Sequence, residues 1–190
     1  FGEKSSWERV NFYSTNIGSD ALRPKDWLGN HWSSAVQVEH NATRNNAGLF
    51  DESSFAKARI SGPRAGEFLN YVCANNVVKG VGKTTYTQAL NSKAGIESDY
   101  TVTQTAENEF FIVTGTAFSV HDFGWLEKMR REHSFDGVEI TNITRDLACF
   151  ALMGPKSRTI LQSLTDADLS HAAFPFMNSK EITVGDIKVR

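Results

Sequence analysis

One junction occurs twice in this chain and constrains its fold more than any other feature: Ile60-Ser61-Gly62-Pro63-Arg64 and Leu152-Met153-Gly154-Pro155-Lys156. Each copy follows a run with strand character, Ala56 to Ser61 and Cys149 to Met153. Each precedes an apolar stripe at helical spacing, with Phe68, Leu69, Val72 and Cys73 in the first and Ile160, Leu161 and Leu164 in the second. Proline suits the first helical position, where its missing N–H has no intrahelical partner to lose, so both copies predict a strand turning directly into a helix. The pair predicts an internal duplication of a strand–helix unit; the alternative is chance recurrence of a common junction.

Between the copies, residues 85–90, 100–104 and 110–114 have strand character, and Val138 to Ile143 is a further strand. A helix is predicted over Ala117 to Glu132 on Phe118, Phe123, Trp125, Leu126 and Met129. Strands joined by hairpins, interrupted by helices that cannot all be crossovers, predict an α+β fold of antiparallel sheets with packed helices. The first 45 or so residues are rich in Trp, Asn and Ser with little periodicity, although Trp32 to Asn45 can carry a helix on Val36, Val38 and His40.

A length of 190 residues, 40% hydrophobic and 22% charged, describes an ordinary soluble globular protein. A net charge of -2 without a dense Lys/Arg run excludes a basic face for nucleic acid or for anionic lipid. No apolar run approaches the ~20 residues of a membrane span, and the start lacks a signal-peptide pattern. Phe1 as first residue, and Ile187 to Arg190 as a strand just past a Gly185-Asp186 turn, predict a piece of a longer chain. Cys73 and Cys149 sit in apolar contexts that suit buried thiols in a reducing compartment better than a disulfide. His31, His40, His121, His133 and His171 show no metal-ligand spacing, so no metal is predicted. The glycosylation-type triplets at Asn41 and Asn142 are chance matches without a secretory context.

Among candidate motifs, Gly82-Lys83-Thr84 fails as a phosphate loop because the required glycine five positions earlier is Val77. Ser53 and Ser54 lack the surroundings of a nucleophile elbow. Tyr86 to Asp99 is more promising: Tyr86 to Leu90 forms one arm of a hairpin, Asn91 to Gly95 the turn, and Tyr100 to Thr103 the second arm, with Asp99 at its mouth. An acid beside an aromatic ring there serves as a proton acceptor or a ligand anchor, and the alternative is a surface acid ending a turn. Glu97 lies two residues from Asp99, which on a strand predicts a shared face and a like-charged pair of the kind that tunes a general base; a solvated acidic edge is the alternative.

Several segments occur in one order: Trp-Glu-Arg at 7–9, Gly-Leu-Phe-Asp-Glu-Ser-Ser-Phe-Ala-Lys at 48–57, the hairpin at 86–99, Phe-Ile-Val-Thr-Gly-Thr at 111–116, Met-Gly-Pro-Lys-Ser-Arg at 153–158 and Ala-Asp-Leu-Ser-His-Ala-Ala-Phe-Pro-Phe at 167–176. Together they resemble the folate-binding, aminomethyltransferase-like region of dimethylglycine and sarcosine dehydrogenases, a family related to the T-protein of the glycine cleavage system. The resemblance implies a T-protein-like α+β folate-binding fold, incomplete at the C-terminus. Residues 1–13 are then the tail of a central linker domain and residues 14–190 the N-terminal part of the folate-binding domain, with FAD in an upstream domain. It further implies folate-dependent transfer of the methylene unit released by oxidation of an N-methyl amine, forming 5,10-methylenetetrahydrofolate. The same resemblance implies that Asp99 is the catalytic group and also contacts tetrahydrofolate, as do Tyr86 and the main chain around Val113 and Thr114. The partners implied are the amine and folate, and the compartment a bacterial cytoplasm or a mitochondrial matrix. Neither the identity of the amine nor the oligomeric state is assigned.

Two departures from the family pattern stand out. The usual Gly-Gly-Ile is Ala94-Gly95-Ile96 here, and the downstream Gly-Glu-x-Gly-Trp-Glu segment is not in this sequence. Two other readings stay open: a non-catalytic relative resembling the pyruvate dehydrogenase phosphatase regulatory subunit, and a glycine cleavage aminomethyltransferase.

Overall fold

The computed structural model describes residues 1–10 and 34–190, in two units: Phe1–Asp51 with Phe150–Leu164, and Glu52–Cys149 with Thr165–Arg190. The expected linker tail therefore lies partly outside the described residues, as do Trp32 and Ser33 of the first expected helix.

In the first unit, β1 (Gly2–Lys4) and β2 (Trp7–Arg9) form a hairpin. Its two turn residues, Ser5 and Ser6, have φ of 52° and 63°, the primed geometry that matches strand twist. Next come α1 (Ser34–Asn45), with Val36 and Val38 exposed rather than buried, and β3 (Gly48–Asp51).

The second unit holds β4 (Ala56–Ser61), α2 (Ala65–Val72), β5 (Thr84–Leu90), β6 (Ile96–Ala106), β7 (Glu109–Thr114), α3 (Ser119–Glu132) and β8 (Glu139–Asn142). The chain then supplies β9 (Phe150–Met153), antiparallel to β3, and α4 (Ser157–Gln162) to the first unit. It ends on a hairpin of β10 (Ile182–Val184) and β11 (Ile187–Val189) in the second. Sequence reasoning missed β1, β2, β3 and β10, each of four residues or fewer, too short for a period to be counted.

The five strands of the main sheet run β5-β6-β7-β4-β8, every neighbouring pair antiparallel. Alternation along the strands gives the sheet two unlike faces. One carries Ala58, Ile60, Tyr100, Val102, Phe110 and Ile112, all buried in one core with Ala65, Phe68, Leu69 and Val72 of α2 and Leu126 of α3. Burying a Phe, Leu or Ile side chain contributes roughly 1.5–3 kcal/mol, so this face fixes the register of the sheet. The opposite face is left to polar and half-buried side chains, and it carries Tyr86 and Asp99.

The two Gly-Pro junctions share one backbone path. Gly62 has φ +123° and Gly154 φ +120°, while the residues capping the helices, Arg64 and Lys156, have φ, ψ of -106°, 11° and -99°, 2°. Pro63 and Pro155 lie one residue before the cap, not at the first helical position. The turn around each is closed by Ala65 N–H to the Gly62 carbonyl (3.0 Å) and Ser157 N–H to the Gly154 carbonyl (3.1 Å). The surroundings differ: α2 is buried along its apolar stripe, whereas Ile160 and Leu164 are exposed and Leu164 lies beyond α4.

Cys73, just after α2, is buried, and burial pushes its thiol up from an ordinary value near 9 to about 12. Cys149 is likewise in no disulfide but only half-buried, short of the burial expected. Burial also raises the Tyr100 phenol. Cys73 and Tyr100 hold their protons more tightly folded than unfolded. Their contribution to stability is therefore complete below pH 9 and is lost as the pH rises towards 12. The unfolding free energy from denaturant titration is expected to fall across that window by up to about 1.4 kcal/mol per pH unit for each group titrating. Cys73→Ala should flatten the decline, which titration of the variant alongside the parent chain checks.

Candidate functional site

The β5–β6 hairpin brings the expected ring and carboxylate together. Its register sets Gln88 opposite Asp99 and Tyr86 opposite Thr101, so Tyr86 and Asp99 are diagonal neighbours on one face. The Tyr86 hydroxyl donates to Asp99 Oδ2 at 2.5 Å. Both residues are exposed, Tyr86 by 51%. The bond to Asp99 holds the phenol proton and raises the Tyr86 pKa. Asp99 is the fourth residue of β6, inside the strand and not at its mouth.

Val113 pairs with Thr101 and stands on the same face, half-buried. Thr114 does not join it. Neighbours on a strand alternate, so its side chain is buried on the core face and its hydroxyl donates to Asp122 Oδ2. Of the four residues singled out in the sequence, the side chains of Tyr86, Asp99 and Val113 share a face, and Thr114 has only its main chain to offer.

The turn is organised by Asn91. Its Oδ1 accepts from the N–H groups of Lys93 and Gly95, both at 2.9 Å, and its own N–H donates to the Gly95 carbonyl. The left-handed position of this turn is Ala94, at φ +61°, where the resembling family has the first glycine of Gly-Gly-Ile. A Cβ in that conformation costs roughly 1–2 kcal/mol, partly offset by the larger unfolded-state entropy of glycine. Ala94→Gly is therefore expected to stabilise the protein by about 0.5–1 kcal/mol; an unchanged or lowered denaturant midpoint would contradict this.

Glu97 does not pair with Asp99. The register skips from Ala89 opposite Ser98 to Leu90 opposite Ile96, leaving Glu97 as the extra residue of a β-bulge. Its carboxylate accepts from Asn91 Nδ2 at 2.8 Å and lies 3.5 Å from His121 Nε2. The bulge breaks the two-residue period on which the expectation of a shared face rested.

A buried carboxyl that the sequence reading passed over lies behind the hairpin. Asp122, 2% exposed in the first turn of α3, accepts from Ser98 Oγ (2.9 Å) and from His121 Nδ1 (3.0 Å) through Oδ1, and from Thr114 through Oδ2. Its main-chain carbonyl accepts from the Tyr100 hydroxyl at 3.3 Å. Hydrogen bonds from hydroxyl and imidazole groups are what allow a carboxyl to be buried, and the helix N-terminus favours an acid there. Its spacing of four from Leu126 was the available signal, since that places it on the apolar stripe. Phe118, assigned to that stripe, is instead 61% exposed in a 3-10 turn before α3.

A family model described as the GCVT N-terminal domain matches residues 1–190. The chain belongs to this family. Its α+β fold of antiparallel sheets and packed helices agrees with that membership. Over 188 residues this GCVT N-terminal domain is 31% identical to the mitochondrial dimethylglycine dehydrogenase of Rattus norvegicus, a match covering 99% of this chain and 22% of that protein. It is 35% identical over 156 residues to an aminomethyltransferase of Geobacillus thermodenitrificans, covering 82% of this chain and 41% of the enzyme. Among solved structures, the glycine cleavage system aminomethyltransferase T of Bartonella henselae superposes with a TM-score of 0.67 at 31% identity, over 78% of this chain and 39% of that one. The chain thus spans about a fifth of the length of the dehydrogenase and two fifths of the aminomethyltransferases.

Proposed function

We propose that this GCVT-type domain carries out folate-dependent one-carbon transfer within a longer flavoenzyme of the dimethylglycine/sarcosine dehydrogenase kind, forming 5,10-methylenetetrahydrofolate. The observation that carries the reading is the hydrogen bond between the exposed side chains of Tyr86 and Asp99, on the sheet face opposite the apolar core. The extent of similarity supports the dehydrogenase architecture over a free-standing aminomethyltransferase, since the match to the dehydrogenase takes in 99% of the chain and that to the aminomethyltransferase 82%. In this architecture residues 1–13 end a central domain, residues 14–190 begin the folate-binding domain, FAD belongs to an upstream domain, and the amine is oxidised there. The compartment is a bacterial cytoplasm or a mitochondrial matrix.

The groups present suit a reduced pterin. A phenol ring offers flat contact area, half-buried Val113 and Thr101 lie beside it, and a carboxylate offers acceptors for N–H groups. When bound, tetrahydrofolate supplies nucleophilic nitrogen for the one-carbon unit. Asp99 would stand beside that nitrogen as the proton acceptor. Tyr86 bonds Oδ2, and the carboxylate keeps further acceptor sites for a ligand N–H. A carboxylate held within hydrogen-bond reach contributes both as a general base and by orientation.

The test uses the full-length enzyme turning over an N-methylated glycine with and without tetrahydrofolate, assaying 5,10-methylenetetrahydrofolate against free formaldehyde. Methylene product at the expense of formaldehyde is the expected result. Formaldehyde alone, together with no measurable tetrahydrofolate binding, would overturn the reading.

A further inference from the structure

Asp99 has a neighbour on each side tied to the same residue. Ser98 and Tyr100, 4% and 0% exposed, both point to the core face, where Ser98 Oγ bonds the Asp122 carboxyl and the Tyr100 hydroxyl bonds the Asp122 carbonyl. Thr114 of β7 bonds the other carboxyl oxygen, so β6 and β7 are both moored to the start of α3. The mooring sits beside a weak point in the register. Glu97, one residue before Ser98, is the extra residue of a bulge, and a slip of one residue would carry Asp99 to the opposite face and away from Tyr86.

We propose that Asp122 is the positioning residue for Asp99: by holding Ser98 and Tyr100 on the core face of β6 it fixes the pleat that presents the Asp99 carboxylate to Tyr86. The role in catalysis rests on the proposed function above, but the positioning itself does not, and it has a readout that needs no folate. The bond to Asp99 raises the Tyr86 pKa, so the phenol titration reports whether the two side chains still meet.

The experiment titrates the full-length protein with carbon-13-labelled tyrosine by NMR, the Tyr86 signal being assigned by its loss in Tyr86→Phe. Asp99→Ala sets the midpoint with the bond absent. In Asp122→Asn, and in the milder double variant Ser98→Ala/Tyr100→Phe, the Tyr86 midpoint is expected to move down towards that reference. Methylene transfer is expected to fall about 10- to 100-fold, as misplacement of a reacting group by an ångström does, with no further loss when the same changes are made on Asp99→Ala. An unmoved Tyr86 midpoint in the folded double variant would overturn the proposal. So would an equal loss of transfer with and without Asp99, which marks a structural role only. If Asp99→Ala shifts the Tyr86 titration yet leaves transfer intact, the folate reading fails while the positioning stands.

Discussion

Alanine at position 62 is expected to destabilise the protein by at least about 3 kcal/mol, well above the norm for a single added methyl group. Two effects add. Gly62 has φ +123°, a conformation that residues with a Cβ rarely adopt. An added Cβ would also lie 1.9 Å from the Gly137 carbonyl oxygen. That oxygen belongs to the main chain just before the buried Val138, so relief requires moving the segment that enters β8. Gly185→Ala is the matched control, with positive φ (+57°) but nothing within 4 Å of the added carbon, and it should cost roughly 1–2 kcal/mol. Denaturant unfolding of both variants checks this; a Gly62→Ala shift no larger than that of Gly185→Ala would contradict it. Gly154, where a Cβ would meet the carbonyl oxygens of Thr43 and Asn46 at 2.6 Å, explains why the second junction keeps the same glycine.

These two glycines also show what was legible in the sequence. The repeated junction marked both strand-to-helix turns because a glycine–proline pair has few backbone options. The strand from Ala56 to Ser61 was readable to the residue because its small or apolar and its polar residues alternate in sequence, although Lys57 is buried as well. The start of β6 was not: Glu97, Ser98 and Asp99 break the apolar alternation, and the buried hydroxyl of Ser98 finds its hydrogen-bond acceptor in Asp122, distant in sequence. The placement of Val113 with Thr114 illustrates a different limit. The main chain around both residues was the expected lining, and the pleat sends their side chains to opposite faces, so only Val113 adds a side chain beside Tyr86 and Asp99. Asp122 stayed hidden for a related reason, since a search for apolar periodicity does not count a carboxyl even when it holds a stripe position. The Tyr86–Asp99 pair was legible because a hairpin of known turn chemistry sets which residues are diagonal neighbours.

The largest functional effect is expected at Asp99. Removal of a positioned proton acceptor costs typically 10²–10⁴ in rate, or about 3–5 kcal/mol of barrier, and Asp99→Ala also frees the Tyr86 phenol from its acceptor. Because the carboxylate is exposed on the sheet and not part of the apolar core, the loss should appear without a loss of fold. Amine oxidation, which the proposal places in an upstream domain, should continue at its normal rate, so the one-carbon unit should escape as formaldehyde.

The decisive measurement is the yield of 5,10-methylenetetrahydrofolate per amine oxidised in the full-length Asp99→Ala enzyme with saturating tetrahydrofolate. A fall of at least about 100-fold in transfer, with amine oxidation and stability unchanged, is the predicted result. Transfer at the parent rate would contradict the account.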